Sequence, residues 1–149
     1  MYYYGLVDTE NKSYGFLEAN DARVTEDMIP LSIELWNQLL DEQSEGKEIV
    51  CYNGEVFTAE PGRYYVDDSG IWQKKSDQEF ANEQLQLQNE RRKNEILSEL
   101  EILDQQAVRP LRAQTVGLAT DDDIARLTEI EQQAAALRTE YRLLNSTLQ

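Results

Sequence analysis

The chain has no histidine, one cysteine, three prolines and no long apolar run. Each scarcity excludes something. Without histidine there is no Ser-His or Cys-His nucleophile pair, and the commonest transition-metal ligand is missing. A lone Cys51 closes no internal disulfide. It sits in the apolar run IVCY and reads as a small buried strand residue rather than a reactive thiol. No apolar stretch approaches the ~20 residues of a membrane-spanning helix. The opening stretch, MYYYGLVDTENK, has neither a basic n-region nor an apolar h-region, so no signal peptide is expected. The expectation is a non-enzyme, without cofactor or metal, kept in a reducing cytoplasm.

Basic residues are scarce too. Lys and Arg number 14 against 29 Asp and Glu, a net charge of −15 over 149 residues. Residues 1–75 hold 6 basic and 15 acidic side chains, hence −9, and the remainder 8 and 14, hence −6. Neither half suits a phosphate backbone or an anionic membrane surface, so no nucleic acid and no membrane partner is expected.

What is present begins with aromatics. Residues 2–7 are aromatic and β-branched, residues 8–13 form a polar turn, and 14–17 read as a second short strand. Alternation puts Tyr2 and Tyr4 on one face and Tyr3 on the other. That run offers a stacking platform for sugar or partner, but packing on a neighbouring element is the preferred reading, because aromatics bury large areas. Residues 20–30 read as loop, with a brief extended piece at 23–25, and Pro30 disfavours helix at Ile29. Ser32 then caps a helix whose stripe is Ile33, Trp36, Leu39 and Leu40, ended by Gly46. Trp36 and Leu40 are expected beneath Val50 and Val56.

Asn53-Gly54 between IVCY and EVFT is the preferred pair for a type I′ hairpin. A second hairpin, residues 63–66 and 71–74, turns on Asp67-Asp68-Ser69-Gly70. Turn chemistry explains those aspartates better than a metal, since the alternating ligands and distant Glu of a calcium loop are missing. Residues 1–75 therefore read as an α+β domain, a small antiparallel sheet with one helix.

Residues 76–149 read as helical. From a cap at Ser76 or Asp77 nothing breaks the pattern until about Ala107, ~30 residues or ~45 Å. Residues 81–93 are polar on nearly every side and are expected to form an exposed linker helix. Arg91-Arg92-Lys93 is expected to pair within the helix with Glu90 and Glu95. Ile96, Leu100, Leu103 and Ala107 then form an apolar stripe. Pro110 and Gly117 end it, and Thr120 starts the next helix by accepting from the amide of Asp123. Asp121, Asp122 and Asp123 complement the helix dipole rather than hold an ion. Residues 121–145 carry Ile124, Leu127, Glu131, Ala134, Leu137, Tyr141, Leu144 and Leu148 at heptad-like steps, with Glu131 breaking the seam.

Two such helices form a coiled-coil-like antiparallel hairpin. A hairpin of this size buries little by itself, so a second copy or a partner is expected to cover the rest. Leu137, Tyr141 and Leu144 are the expected core of that partner-binding patch, with Tyr2 and Tyr4 as the second candidate surface.

Two segments, in this order, resemble bacteriophage tail fibre assembly proteins, the tail fibre chaperones. Residues 31–50, LSIELWNQLLDEQSEGKEIV, resemble the family's capped short helix with Trp and Leu-Leu, followed by Q-S-x-G-K and a strand. Residues 107–127, AVRPLRAQTVGLATDDDIARL, resemble its Pro-Leu segment and the A-T-D-x-[DE] opening of a last helix. The chain departs further on: residues 130–141 read IEQQAAALRTEY, and Tyr141-Arg142 alone matches the family's Trp-Lys and Tyr-Arg signature. The resemblance implies a chaperone that uses no nucleotide and works in the host bacterial cytoplasm. Its partner would be the distal C-terminal tip of a trimeric tail fibre protein, which it helps to fold or trimerise, sometimes staying as a cap on the virion tip. Two other classes compete. One is a structural tail or baseplate protein that forms a homo-oligomer through its helices. The other is an adhesin contacting carbohydrate through Tyr2, Tyr3, Tyr4, Trp36, Tyr64, Tyr65 and Trp72.

Overall fold

The computed structural model describes residues 1–147. Antiparallel strands and one helix come first, followed by one long helix and one further helix. The chain divides into two compact units, Met1–Phe80 and the part from Ala81 onward.

In the first unit, strand β1 (Tyr2–Asp8) lies between β2 (Ser13–Glu18) and β3 (Ile29–Leu31) in an antiparallel sheet. Tyr4 stands opposite Phe16 on one side and Ile29 on the other. The extended piece of the connecting loop is therefore Ile29–Leu31 and not residues 23–25. Pro30 is no obstacle, because β3 is an edge strand and the missing donor removes no ladder bond on its open side. Gly5 is needed for space: a Cβ there would sit 2.5 Å from the Met28 Cγ.

Helix α1 (Ile33–Ser44) starts where Ser32 Oγ accepts from the Leu35 amide at 3.1 Å. It ends at Gly46, whose φ of +97° lets the amides of Gly46 and Lys47 reach back to the carbonyls of Gln43 and Glu42. Its buried side chain is Leu39, flanked by Leu35 and Leu40, while Ile33 is exposed. Trp36 is half-buried and stacks on Tyr2 with ring centroids 4.1 Å apart. The stripe is thus rotated by about one residue from the expected one, because the aromatic pair holds Trp36 at the edge of the core.

Strands β4 (Glu48–Tyr52) and β5 (Glu55–Ala59) turn through Asn53 and Gly54, both at positive φ, as a type I′ hairpin requires. Alternation sends Ile49, Cys51 and Val56 to the core with Tyr4, Leu31 and Leu39. It sends Val50, Tyr52 and Phe57 to the opposite face. There Tyr52 and Phe57 meet Tyr64 of β6 (Tyr64–Val66), which pairs with β7 (Trp72–Lys74). Val50 is fully buried, but on the face away from α1, which corrects its expected place above Trp36 and Leu40. In the β6–β7 turn, Asp67 Oδ1 accepts from the amides of Ser69 and Ile71, and Oδ2 accepts from the Gln73 side chain. That carboxylate belongs to the turn.

Helix α2 (Asp77–Thr115) begins with a capping box: the Glu79 amide donates to Ser76 Oγ, and the Ser76 amide donates to Glu79 Oε2. Its first residues belong to the first unit because Arg63 bonds the Ser76 carbonyl, pairs with Asp77 and stacks on Phe80. The first unit therefore extends five residues past the expected boundary at Lys75.

The expected break at Pro110 does not occur, and α2 runs 39 residues to Thr115. Proline costs a helix interior about 3 kcal/mol. Here Pro110 is buried, and the packing of the turns around it offsets that cost. Gly117, at φ +72°, ends the helix, with its own amide reaching the Gln114 carbonyl and that of Leu118 reaching Ala113. Helix α3 (Asp121–Ser146) opens on the capping box of Thr120 and Asp123. Among the described residues no helix is long and apolar enough to cross a membrane.

Candidate functional site

The second unit is a pair of helices joined by a tight corner. Its seam follows a seven-residue repeat. On α2 the covered positions are Lys93, Ile96, Leu100, Leu103, Ala107 and Pro110. On α3 they are Leu127, Ile130, Ala134, Leu137, Tyr141 and Leu144. Leu103, Ile130 and Ala134 form the centre, with Leu100, Ala107 and Leu137 packed around them. Ala134 is small and lets the backbones approach.

Ile130, rather than Glu131, occupies the seam. An apolar residue three positions on from Leu127 takes the place that a count of four would give to an acid. Glu131 points outward and pairs with Arg138 at 2.9 Å, and Ile124 is exposed as well. Leu148 lies outside the described residues.

Lys93 was expected on an exposed linker and is 7 % exposed. Its stem fills a seam position while its ammonium reaches Glu90 at 3.0 Å. Residues 81–88 are largely exposed, as the polar pattern requires, with Leu85 and Leu87 open to solvent.

Arg92 ties the two helices together. Its Nε and Nη2 donate to the two oxygens of Glu140 at 2.7 and 2.9 Å, and its Nη1 donates to Glu99 at 2.9 Å. These carboxylates, Glu140 first, hold the guanidinium charged, and Arg92 in turn lowers the Glu140 carboxyl below its ordinary value. The basic cluster therefore bridges helices, in addition to the expected pairing with Glu90 and Glu95. Further along, the Gln106 side chain accepts from Arg126 Nη2 at 2.5 Å. Between these ties lies an apolar groove of about 390 Å³, lined by Glu99, Ile102, Leu103, Gln133, Ala136 and Leu137.

Leu137, Tyr141 and Leu144 are half-buried at seam positions, with Leu137 packed on the hairpin core and also lining the groove. Their heptad spacing puts them on the side of α3 that faces α2. Tyr4 is 4 % exposed, donates to the Ile49 carbonyl and belongs to the first unit's core, and Tyr2 is covered by Trp36. The other aromatics are distributed through packing contacts: Trp72 stands edge-on to Tyr14, and Tyr64 lies among Tyr52, Phe57 and Lys74.

Apolar side chains stay open along the hairpin, among them Leu97, Ile102 and Leu143, and most densely at its corner. Val108, Leu111, Val116, Leu118 and Ile124 are between 43 and 76 % exposed within seventeen residues of chain. Leu111 follows the seam residue Pro110, and Ile124 follows Asp123, which stands one repeat before the seam residue Ile130; both therefore fall on the same flank of the hairpin, opposite the Arg92–Glu140 tie. The signal for this cluster was visible in the sequence as VRPLRAQTVGL, where large apolar side chains surround the helix end without joining a stripe.

Among the described residues no group of three or more His, Cys, Asp or Glu side chains is gathered to hold a metal ion. Comparison with protein-family models, with curated proteins and with solved structures found no match.

Proposed function

We propose that the chain is a tail fibre assembly chaperone that grips the C-terminal tip of a trimeric fibre with the corner of its helical hairpin. The observation that carries this reading is the cluster of five exposed apolar side chains from Val108 to Ile124. A concentration of exposed apolar side chains in one short stretch of chain is a usual protein-docking feature. It also coincides with residues 107–127, one of the two segments that resemble the family.

The physical task suits the parts. A folding fibre tip exposes apolar surface and unpaired strand edges before its three chains close. A rigid apolar corner covers that surface, and the ties of Arg92–Glu140 and Gln106–Arg126 hold the corner's two helices in one geometry. Preorganisation of this kind lowers the ordering cost of binding. The chain's net charge of −15 keeps it soluble while it carries an exposed apolar face. No nucleotide enters this scheme: binding free energy alone shifts the folding equilibrium of the fibre. The site of action in this reading is the host bacterial cytoplasm during assembly.

The test is co-expression with the fibre protein, wild type against Leu111→Glu/Leu118→Glu. Both positions are exposed, so the hairpin should keep its melting temperature. The variant should lose the fibre in pull-down and leave it insoluble. A variant that still captures and solubilises the fibre would remove the corner from the account.

A further inference from the structure

A cleft of about 370 Å³ opens in the first unit where β2, α1, β4 and β7 meet. Its size falls within the small-molecule range of ~300–1,000 Å³. Tyr14, Phe16 and Trp72 give it aromatic walls over the buried ring of Tyr4, and Gln43 and Glu48 supply its polar groups. We infer that this cleft binds an organic cation, an alkylammonium or guanidinium group. This goes beyond the chaperone reading and does not depend on it.

The argument rests on which polar groups the cleft offers. Both phenol hydrogens are already committed: Tyr4 donates to the Ile49 carbonyl at 3.3 Å and Tyr14 to the Gly70 carbonyl at 2.7 Å. Their oxygens are left as acceptors. Glu48 Oε2 accepts from the Gly62 amide at 3.1 Å, and its second oxygen has no hydrogen bond among the described residues. The donors are the Gln43 amide, which also accepts, and the Trp72 indole N–H, which is buried without a partner. No Lys or Arg lines the space. An anion would therefore find two neutral donors, no cation and a repelling carboxylate. A cation finds π faces, acceptor oxygens and a carboxylate, the combination that recognises ammonium groups. The surroundings agree in sign: burial raises the Tyr14 phenol, and Cys51, Asp27 and Asp67 raise it further. Residues 1–75, which build the cleft, carry −9. Lys74 and Lys75 lie over the rings of Tyr64 and Tyr65, the Lys47 ammonium pairs with Glu42, and Lys12 acts on Asp67.

The same chemistry could come from a free quaternary amine or from a Lys or Arg side chain of a protein, and the probes separate the two. The full chain is titrated with tetramethylammonium, N-acetyl-lysine methylamide, tert-butanol and glucose, followed by backbone and indole N–H resonances. Both cations should give saturable shifts at Gln43, Glu48 and the Trp72 indole, weakened by salt, and the neutral probes should give none. Tighter binding of the lysine amide assigns the site to a protein side chain, and tighter binding of tetramethylammonium to a free amine. Glu48→Gln should weaken binding about tenfold, as expected for removal of a charge-assisted contact. Because Glu48 also holds the Gly62 amide, a second variant is needed. Gln43 is exposed on α1, so Gln43→Lys should keep the melting curve and abolish binding by placing a cation at the mouth. Absence of saturable shifts with either cation, equal binding of tert-butanol, preference for glucose, or full binding by folded Gln43→Lys would each overturn the assignment.

Discussion

Lys93 shows what single residues decide here. A lysine at a seam position satisfies its charge at Glu90 while its methylenes fill the space of an apolar side chain. Lys93→Met should raise hairpin stability by about 1 kcal/mol, as removal of covered charge often does, while loosening the register that a polar seam residue helps to fix. Thermal melts read the first effect, and doubled α2–α3 cross-peaks would read the second. In the first unit, Leu39→Ala should cost about 2–5 kcal/mol in denaturant melts, and Leu40→Ala clearly less. Equal losses would restore the expected stripe.

Glu42 gives the pH dependence. The Thr58 hydroxyl, then the Gln38 amide and Lys47, hold its carboxyl down to about 2, against an ordinary 4.5. A carboxyl depressed in the folded state binds its proton first when unfolded. Its contribution is therefore complete above about pH 4.5 and drains away as pH falls towards 2. Acid titration of Glu42→Gln should show a shallower loss of stability across that window. An unchanged acid limb would show that the Thr58 bond does not matter in solution.

The elements were legible wherever local chemistry fixes them. Asn53-Gly54, Gly46, Ser32 and Thr120 specify their turns and caps through positive φ or a side-chain acceptor, and each sits where the sequence placed it; of the two cap candidates Ser76 and Asp77, Ser76 is the one that accepts. The misses came where tertiary packing outweighs local preference. Pro110 reads as a stop because its ring removes a donor, yet α2 continues because packing on both sides holds the turn. Pro110→Ala restores the donor to the Gln106 carbonyl and should stabilise the hairpin by about 1–3 kcal/mol, less what the smaller side chain loses in the seam. The short strand Ile29–Leu31 carried no periodic signal, since three residues around a proline show none; its partner β1 makes it a strand. Residues 81–88 lack a covering helix and should exchange amide protons faster than residues 96–107. Equal protection would mean that something covers them.

At the scale of the whole chain, the sequence predicted the α+β class and the helical hairpin but not which apolar residues stay outside. Heptad spacing alone cannot tell an association surface from an internal seam, and Leu137, Tyr141 and Leu144 lie half-buried at seam positions. Val108, Leu111, Val116 and Leu118 surround the helix end in the sequence without joining a stripe, Ile124 reads there as a stripe residue, and their shared exposure makes the five a candidate site. The central claim is that this corner grips the fibre. Hydrogen exchange of the full chain, alone and bound to its co-expressed fibre protein, tests it most directly. Slowed exchange over residues 108–124 in the complex, with little change at residues 137–144, is the predicted result; unchanged exchange at the corner with new protection around Tyr2 and Tyr3 would contradict it.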